Sequence, residues 1–185
     1  MPGAASANHL QRLPDSTAPI ARGGHSLDTE RALLVRLVER TLDAMEPMVM
    51  QIIGDEAVSA EHAMHVVVMD PTCGPDARFD DAILLERSVG DRAQWKADYA
   101  WYAREKTRVS WRERRSLRTL LTRCPDRLRD GDIRVEGAVR DGAWIVGASG
   151  AQPWYDHAIA SIAVHLFNAA LAQRAIAAGA EETTE

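Results

Sequence analysis

The chain has 185 residues, 46% of them hydrophobic and 26% charged, with a formal net charge of −5 at neutral pH. This balance is typical of a globular protein and excludes wholesale disorder or a fibrous architecture. Two distant cysteines, Cys73 and Cys124, exclude a disulfide scaffold and a zinc knuckle. Because no apolar run reaches roughly 18 residues and no signal-peptide pattern is present, we expect a cytoplasmic protein without a transmembrane helix.

The composition along the chain predicts one folded domain between two tails. Residues 1–25 are rich in Ala, Gly, Pro and Ser and lack apolar periodicity, so we expect a disordered N-terminal tail. The domain is predicted over 26–178, and a short disordered tail over 179–185.

Apolar periodicity predicts eight elements in a fixed order. They are a helix from Leu27 with a kink or break at Pro47, strands at Met64–Met69 and Ala82–Leu85, a helix over Val89–Lys106, an arginine-rich helix from a Ser110–Glu113 capping box to Leu121, a hairpin of Ile133–Val139 with Ala143–Ala148, and a helix from Pro153. The first strand reads as buried on both faces. This order predicts an α+β domain in which helices pack on an antiparallel sheet.

Charge is unevenly distributed along the chain. Residues 104–129 hold nine arginines and one lysine against three acidic residues, a local charge of +7, which leaves −12 on the rest. Because an acidic body repels a polyanion, nucleic-acid binding is not expected. The division instead favours an interface between unlike surfaces of identical subunits, made by a 111–123 helix and part of a 156–176 helix.

The final third of the chain carries the most distinctive motif. Residues 131–164 read GDIRVEGAVRDGAWIVGASGAQPWYDHAIASIAV, and three upstream elements follow a matching order at His65–Asp70, Arg78–Ala82 and Lys96–Ala100. Together they resemble the GlcG-like family, which includes haem-binding HbpS proteins and the C-terminal domain of PduO-type proteins. The resemblance covers about 27–175.

The resemblance implies a single profilin-like α+β domain, a homo-oligomer and, in some members, the binding or breakdown of haem. The chain departs from the family pattern at Tyr99, where threonine is usual, and at Trp144, where glycine is usual. A tryptophan at the latter position predicts a smaller ligand cavity. Tyr99 and Trp144 are therefore candidate ligand-binding residues.

The turn before the last helix is a candidate anion site. Backbone N–H groups around Gly147, Ser149 and Gly150, with the helix N-terminus beyond, can hold a carboxylate or phosphate. The alternative is that the two glycines only supply the backbone conformation that the turn needs. Asp156 suits the helix dipole and is a further candidate ligand-binding residue, and His157 is the candidate haem-iron ligand, unless it is simply solvated.

Lys96 and Asp70 are the charged residues inside the family-like elements. Lys96 is predicted to face an anionic ligand beside the Gly147–Gly150 turn, with Trp95, Trp101 and Tyr102 as aromatic walls; the alternatives are an exposed lysine and ordinary core aromatics. In an enzyme, Lys96 and Asp70 would do acid–base work.

Three classes of function remain open from the sequence. The first is a protein that binds haem or another small anionic molecule. The second is a cofactor-independent enzyme acting on an anionic, possibly aromatic, metabolite. The third is an oligomeric interaction module in which the arginine-rich helix docks a partner.

Overall fold

A computed structural model describes the backbone of residues 27–182 and the side chains of residues 29–177. The elements are α1 (Leu27–Ile53), β1 (Met64–Met69), β2 (Ile83–Val89), α2 (Tyr99–Glu113), α3 (Leu117–Arg123), β3 (Ala138–Asp141), β4 (Trp144–Ser149) and α4 (Pro153–Glu182), with single 3-10 turns at Arg92–Gln94 and Pro125–Arg127. The predicted tail at 1–25 lies outside the described residues. The predicted tail at 179–185 overlaps the last residues of α4, and 183–185 lie outside the description.

The four strands form one antiparallel sheet in the order β2-β1-β4-β3. The two central strands pair with His65 opposite Ser149 and Val67 opposite Gly147. The predicted hairpin is present, since Asp141 pairs with Trp144 across a two-residue turn, but its first strand is Ala138–Asp141 and not Ile133–Val139. The α+β class with an antiparallel sheet and packed helices is therefore confirmed.

The helices cover both faces of this sheet. Side chains alternate between the faces along a strand, so Val66 and Val68 belong to the core under α1 and α4, and Val67 and Met69 to the core under α2. All six residues of β1 are buried, as the continuous apolar run predicts. The sheet is thus enclosed, and the polar residues on its α2 face are held away from water.

Helix α1 continues through Pro47 to Ile53, so the predicted break is wrong. Proline inside a helix costs about 3 kcal/mol because it removes a hydrogen bond and crowds the preceding turn. The apolar stripe continues beyond it, and Val49 and Ile53 are buried in the main core. Burying two such side chains contributes about 1.5–3 kcal/mol each, which offsets the cost.

The boundaries of the two middle helices differ from the prediction. The chain over 90–98 is irregular, and α2 begins only at Tyr99, where the side chain of Asp98 accepts a hydrogen bond from the Trp101 N–H. The predicted capping box is wrong, because Ser110 is buried inside α2. Helix α2 ends at Arg114, which adopts a left-handed conformation, and Ser116 precedes α3.

Helix α4 is the one helix among the described residues that is long and apolar enough to cross a membrane, over Pro153–Ala177. The core helix of a globular protein passes the same test, so length and composition are weak evidence for a span. In this chain Ile159, Ala163 and Phe167 are buried against the sheet, and 28% of the span is buried in all.

The approach of α2 to the sheet depends on Gly147. A Cβ atom at this position would lie 1.9 Å from Thr107 Oγ1 and 3.0 Å from the Ala103 carbonyl oxygen. We expect Gly147→Ala to lower the free energy of unfolding by about 1–3 kcal/mol or more, as overpacking does. Urea denaturation followed by circular dichroism measures this loss.

Gly74→Ala is the matched control, because a Cβ at Gly74 meets no atom within 4 Å. Thr107→Ala removes the closest clashing atom, so the double variant should recover part of the loss. Equal denaturation midpoints for Gly147→Ala and Gly74→Ala would contradict the close approach.

Candidate functional site

A buried lysine lies at the centre of the α2 face. Lys106 Nζ is 2.7 Å from Asp156 Oδ2, 3.2 Å from the Ala148 carbonyl oxygen and 3.2 Å from Ser149 Oγ. Both charged side chains are almost completely buried. Because the ammonium group has three partners for its three protons, the pair is fully hydrogen-bonded within the chain. We call Lys106, Ser149 and Asp156 the lysine cluster.

The inner face of α2 explains why the sequence pattern missed this lysine. Ala103, Lys106, Thr107 and Ser110 recur at helical spacing, and all four are buried. Only one of them is apolar, so the stripe does not stand out by hydrophobicity. The stripe fits the sheet because Gly147 opposite it has no side chain.

The anion at the turn before α4 is supplied by the chain itself. Asp156 Oδ1 accepts a hydrogen bond of 3.0 Å from the Ala151 N–H, and burial raises the pKa of Asp156 to about 6. Gly150 has φ +139, a conformation that favours glycine, and its carbonyl accepts from Ser59 Oγ at 2.7 Å. Gly147 allows close packing. The presence of glycine at both positions is thus explained by the fold. Asp156 occupies the position predicted for an external anion.

A set of aromatic and polar side chains lies beside the lysine cluster. The Tyr99 hydroxyl donates to Glu61, and burial together with this carboxylate raises the pKa of Tyr99 to about 12. Trp95 packs edge-on against both Tyr99 and His65, with ring centroids 5.4 and 6.2 Å away. Burial lowers the pKa of His65, whose Nδ1 lies 2.9 Å from Ser88 Oγ. Trp95 therefore packs over His65 and Tyr99, and its role as the wall of a ligand site stays a prediction.

The predicted acid–base pair does not exist. Lys96 is 80% exposed and lies 3.7 Å from Glu61 on the chain before α2, because that helix begins later than predicted. Asp70 is buried at the opposite end of β1 from the pairing of His65 with Ser149. Its carboxylate accepts hydrogen bonds from the Arg31 guanidinium and from Thr72, so it joins α1 to the turn after β1. The lysine beside the turn is Lys106.

Two other predicted site residues lie apart from the lysine cluster. Trp144 is completely buried on the opposite face of the sheet, where its ring packs against Phe167 at 4.9 Å. It belongs to the core under α1 and α4, so its assignment as a ligand-binding residue is wrong, and it cannot narrow a cavity on the α2 face. Of the other predicted aromatic walls, Trp101 and Tyr102 are exposed and pack on each other.

An open groove of about 580 Å³ runs between α3 and the start of α4. Its lining combines apolar and basic side chains: Arg118, Leu121, Thr122, Arg134, Val135, Glu136, Pro153 and Trp154. Trp154 is 56% exposed and Val135 is 41% exposed, although both are large and apolar. The groove therefore presents a flat apolar surface to solvent.

His157 lies behind this groove, one turn along α4. Burial and the positive charge of Arg118 lower the pKa of His157, and its Nδ1 is buried without a hydrogen-bond partner among the described residues. Arg118 and Glu136 line the groove and form an ion pair. The hydrogen bond from Arg118 and, to a smaller extent, the charge of His157 lower the pKa of Glu136. The imidazole is thus predominantly neutral at pH 7, the form that binds metals.

The arginine-rich segment is divided between two helices and a turn, so the predicted single helix over 111–123 is wrong. Arg112 forms a bidentate ion pair with Asp132, with N···O distances of 2.9 and 2.6 Å, and its Nε donates a hydrogen bond to Glu113. These carboxylates raise the pKa of Arg112. Arg112 and Arg118 are therefore each paired with a carboxylate of the same chain. Homo-oligomerisation itself stays a prediction.

Comparisons of the chain with protein-family models, curated proteins and solved structures found no match. Membership of the GlcG-like family accordingly stays a prediction. No group of three or more His, Cys, Asp or Glu residues in the described part of the chain is placed to hold a metal ion.

Replacing the buried lysine tests the lysine cluster. Lys106→Met leaves Asp156 buried without its counter-charge, so we expect a loss of about 3–5 kcal/mol in the free energy of unfolding. Lys96→Met is the matched control, since the chain has only these two lysines and the second is exposed. The control should change stability by less than about 0.5 kcal/mol in urea denaturation at pH 7. Similar losses in both variants would contradict the structural role of Lys106.

The pH dependence of stability tests the burial of Asp156. Its pKa is raised from 3.8 to about 6, so the folded state binds the proton more tightly than the unfolded state. Protonation therefore favours folding at about pH 4, and this contribution is lost as the pH rises to about 6. We expect the stability of the wild type relative to Asp156→Asn to decrease over that interval in urea denaturation. A relative stability that grows with pH would mean that the ion pair outweighs burial.

Proposed function

We propose that this protein binds a flat, partly apolar small molecule that carries acidic groups, and that the ligand lies in the groove between α3 and α4. Haem is the candidate ligand to test first, because the sequence resembles a family with haem-binding members. The observation that carries the proposal is the exposed ring of Trp154 in a groove with arginine side chains on its wall.

The size and surface of the groove support a small-molecule ligand. Ligand sites in proteins measure about 300–1,000 Å³ and are lined mainly by apolar and aromatic side chains with a few polar groups. The groove of about 580 Å³ falls in this range. Trp154, Val135 and Leu121 supply the apolar contact area. Leaving a tryptophan ring half in water forgoes stabilisation that a stacked ligand would supply.

One arginine without a carboxylate partner in the described part of the chain supports recognition of acidic groups. Arg134 lines the groove and has no carboxylate within 4 Å among the described side chains, so its guanidinium is available to a ligand. Arg118 shares its charge with Glu136. Guanidinium groups bind carboxylates through paired hydrogen bonds, and this suits the propionates of haem or the acid groups of another ring compound.

The residues beside the groove fit haem in one further respect. His157 has a buried nitrogen without a partner and a lowered pKa, so a neutral imidazole is present next to the groove. Haem supplies an iron centre that accepts an imidazole ligand. In this assignment Trp154 would contact the ring, Arg134 would orient an acid group, and His157 would ligate the iron.

Titration with haemin and with a fluorescent aromatic sulfonate tests the ligand class. We expect saturable binding of both probes, with affinity reduced at least about tenfold in Trp154→Ala, since a stacked aromatic contributes about 1–3 kcal/mol. Trp101→Ala is the matched control, because Trp101 is similarly exposed but does not line the groove. His157→Ala should alter the Soret band of the haemin complex.

The outcomes separate the ligand from the site. Sulfonate binding that depends on Trp154, without a haemin Soret band, would support the groove and remove haem. An unchanged Soret band in His157→Ala would remove only the iron ligand. Equal binding by the Trp154 and Trp101 variants would overturn the proposed site.

A further inference from the structure

We propose that a second pocket, between the end of α2, the start of α3 and β3, binds the phosphate group of a small phosphorylated metabolite. The pocket measures about 370 Å³ and shares no lining residue with the groove, so this site is independent of the proposed function. Four of its lining residues are arginines: Arg114, Arg115, Arg127 and Arg140.

The positive charge of this pocket is largely uncompensated. Arg114, Arg115 and Arg140 have no carboxylate within 4 Å among the described side chains, in contrast to Arg112 and Arg118. Arg127 lies 3.5 Å from Glu113, but that carboxylate is shared with Arg112. Four guanidinium groups thus line the pocket against one acidic side chain. A dianion would relieve their mutual repulsion.

Arg114 is held in place although no carboxylate of the described side chains lies within 4 Å of it. It adopts φ 51 at the end of α2, and its guanidinium lies 4.7 Å from the centre of the Trp111 ring. Its Nη1 is buried without a hydrogen-bond partner among the described residues. Burial and the nearby charge of Arg140 lower the pKa of Arg114. A buried donor without a partner is destabilising, and a bound acceptor would satisfy it.

The remaining groups fix the geometry around Arg114. Arg140 Nη1 donates to the Arg114 carbonyl oxygen at 2.9 Å, so the two arginines are tied together. Ser116 Oγ accepts from the Arg140 N–H at 2.9 Å and donates to its carbonyl at 3.2 Å. The Thr119 hydroxyl also lines the pocket. The arginines are therefore presented from a constrained backbone rather than from a mobile loop.

A phosphate ester fits this arrangement better than a single carboxylate. A phosphate monoester carries close to two negative charges at neutral pH and offers three acceptor oxygens to converging guanidinium groups. The pocket is wider than a bare phosphate, and this leaves space for part of the attached metabolite. Nucleic acid fits less well because the rest of the chain carries a charge of −12 and the arginines form a pocket rather than a stripe.

Calorimetric titration at low ionic strength with inorganic phosphate, glucose 6-phosphate and a single-stranded oligonucleotide tests the proposal. We expect saturable binding of phosphate and of the sugar phosphate. Affinity should fall by about tenfold or more in Arg140→Gln and in Arg114→Gln, since a hydrogen bond to a charged group contributes about 1.5–3 kcal/mol. Arg140 is exposed, so its variant keeps the test valid should Arg114→Gln fail to fold.

Arg123→Gln is the matched control, because Arg123 is exposed on the same short helix as Thr119 but does not line the pocket. Its affinity for phosphate should stay within about twofold of the wild type. An equal loss of phosphate binding in the Arg114, Arg140 and Arg123 variants would indicate general attraction between charges and would overturn the site. Binding of the oligonucleotide without binding of either small phosphate would also overturn it.

Discussion

The contact between Lys106 and Asp156 determines how the two helical layers meet the sheet. It joins the middle of α2 to the end of β4 and to the first turn of α4. Transferring both charges from water costs several kcal/mol for each ion, so the pair is tolerated only because every acceptor and donor is used. The Ala151 N–H and Ser149 Oγ complete that set. The beginning of α4, which carries Trp154 and His157, is positioned by this contact.

The arginines of the central segment have two different roles. Arg112 and Arg118 each face a carboxylate from the chain after α3, and these ion pairs hold that segment against the helices. Arg114 and Arg140 are bound to each other through a backbone carbonyl and lack such a partner. Net charge along the sequence does not distinguish these roles, since Arg112, Arg114 and Arg118 each contribute one positive charge to the local +7. Only the tertiary position of the acidic residues separates structural arginines from available ones.

The sequence predicted the fold better than the site, for physical reasons. Strand periodicity, the Asp-Gly turn and the proline at the start of α4 are local signals, and the elements that they predict are present. The start of α2 was predicted ten residues too early, because alanines over 93–100 resemble a helical stripe while the true inner face is polar. That shift, together with the position of Lys96 in a family-like element, directed the prediction to Lys96 instead of Lys106. Burial of a lysine depends on distant partners, here Asp156, and periodicity does not report them.

Helix α3 connects the two proposed sites. Arg118, Leu121 and Thr122 line the groove, and Thr119 lines the arginine pocket on another side of the same helix. Its third side is anchored by Leu117 and Leu120, which are completely buried in a small separate core.

A helix of seven residues is not stable in water on its own, so packing must hold α3 in place. That small core also contains Val109 from α2, Ala138 from β3 and Leu128 from the chain after α3. The geometry of both sites therefore depends on the same few apolar contacts. The two sites are separate in their lining residues but share this support.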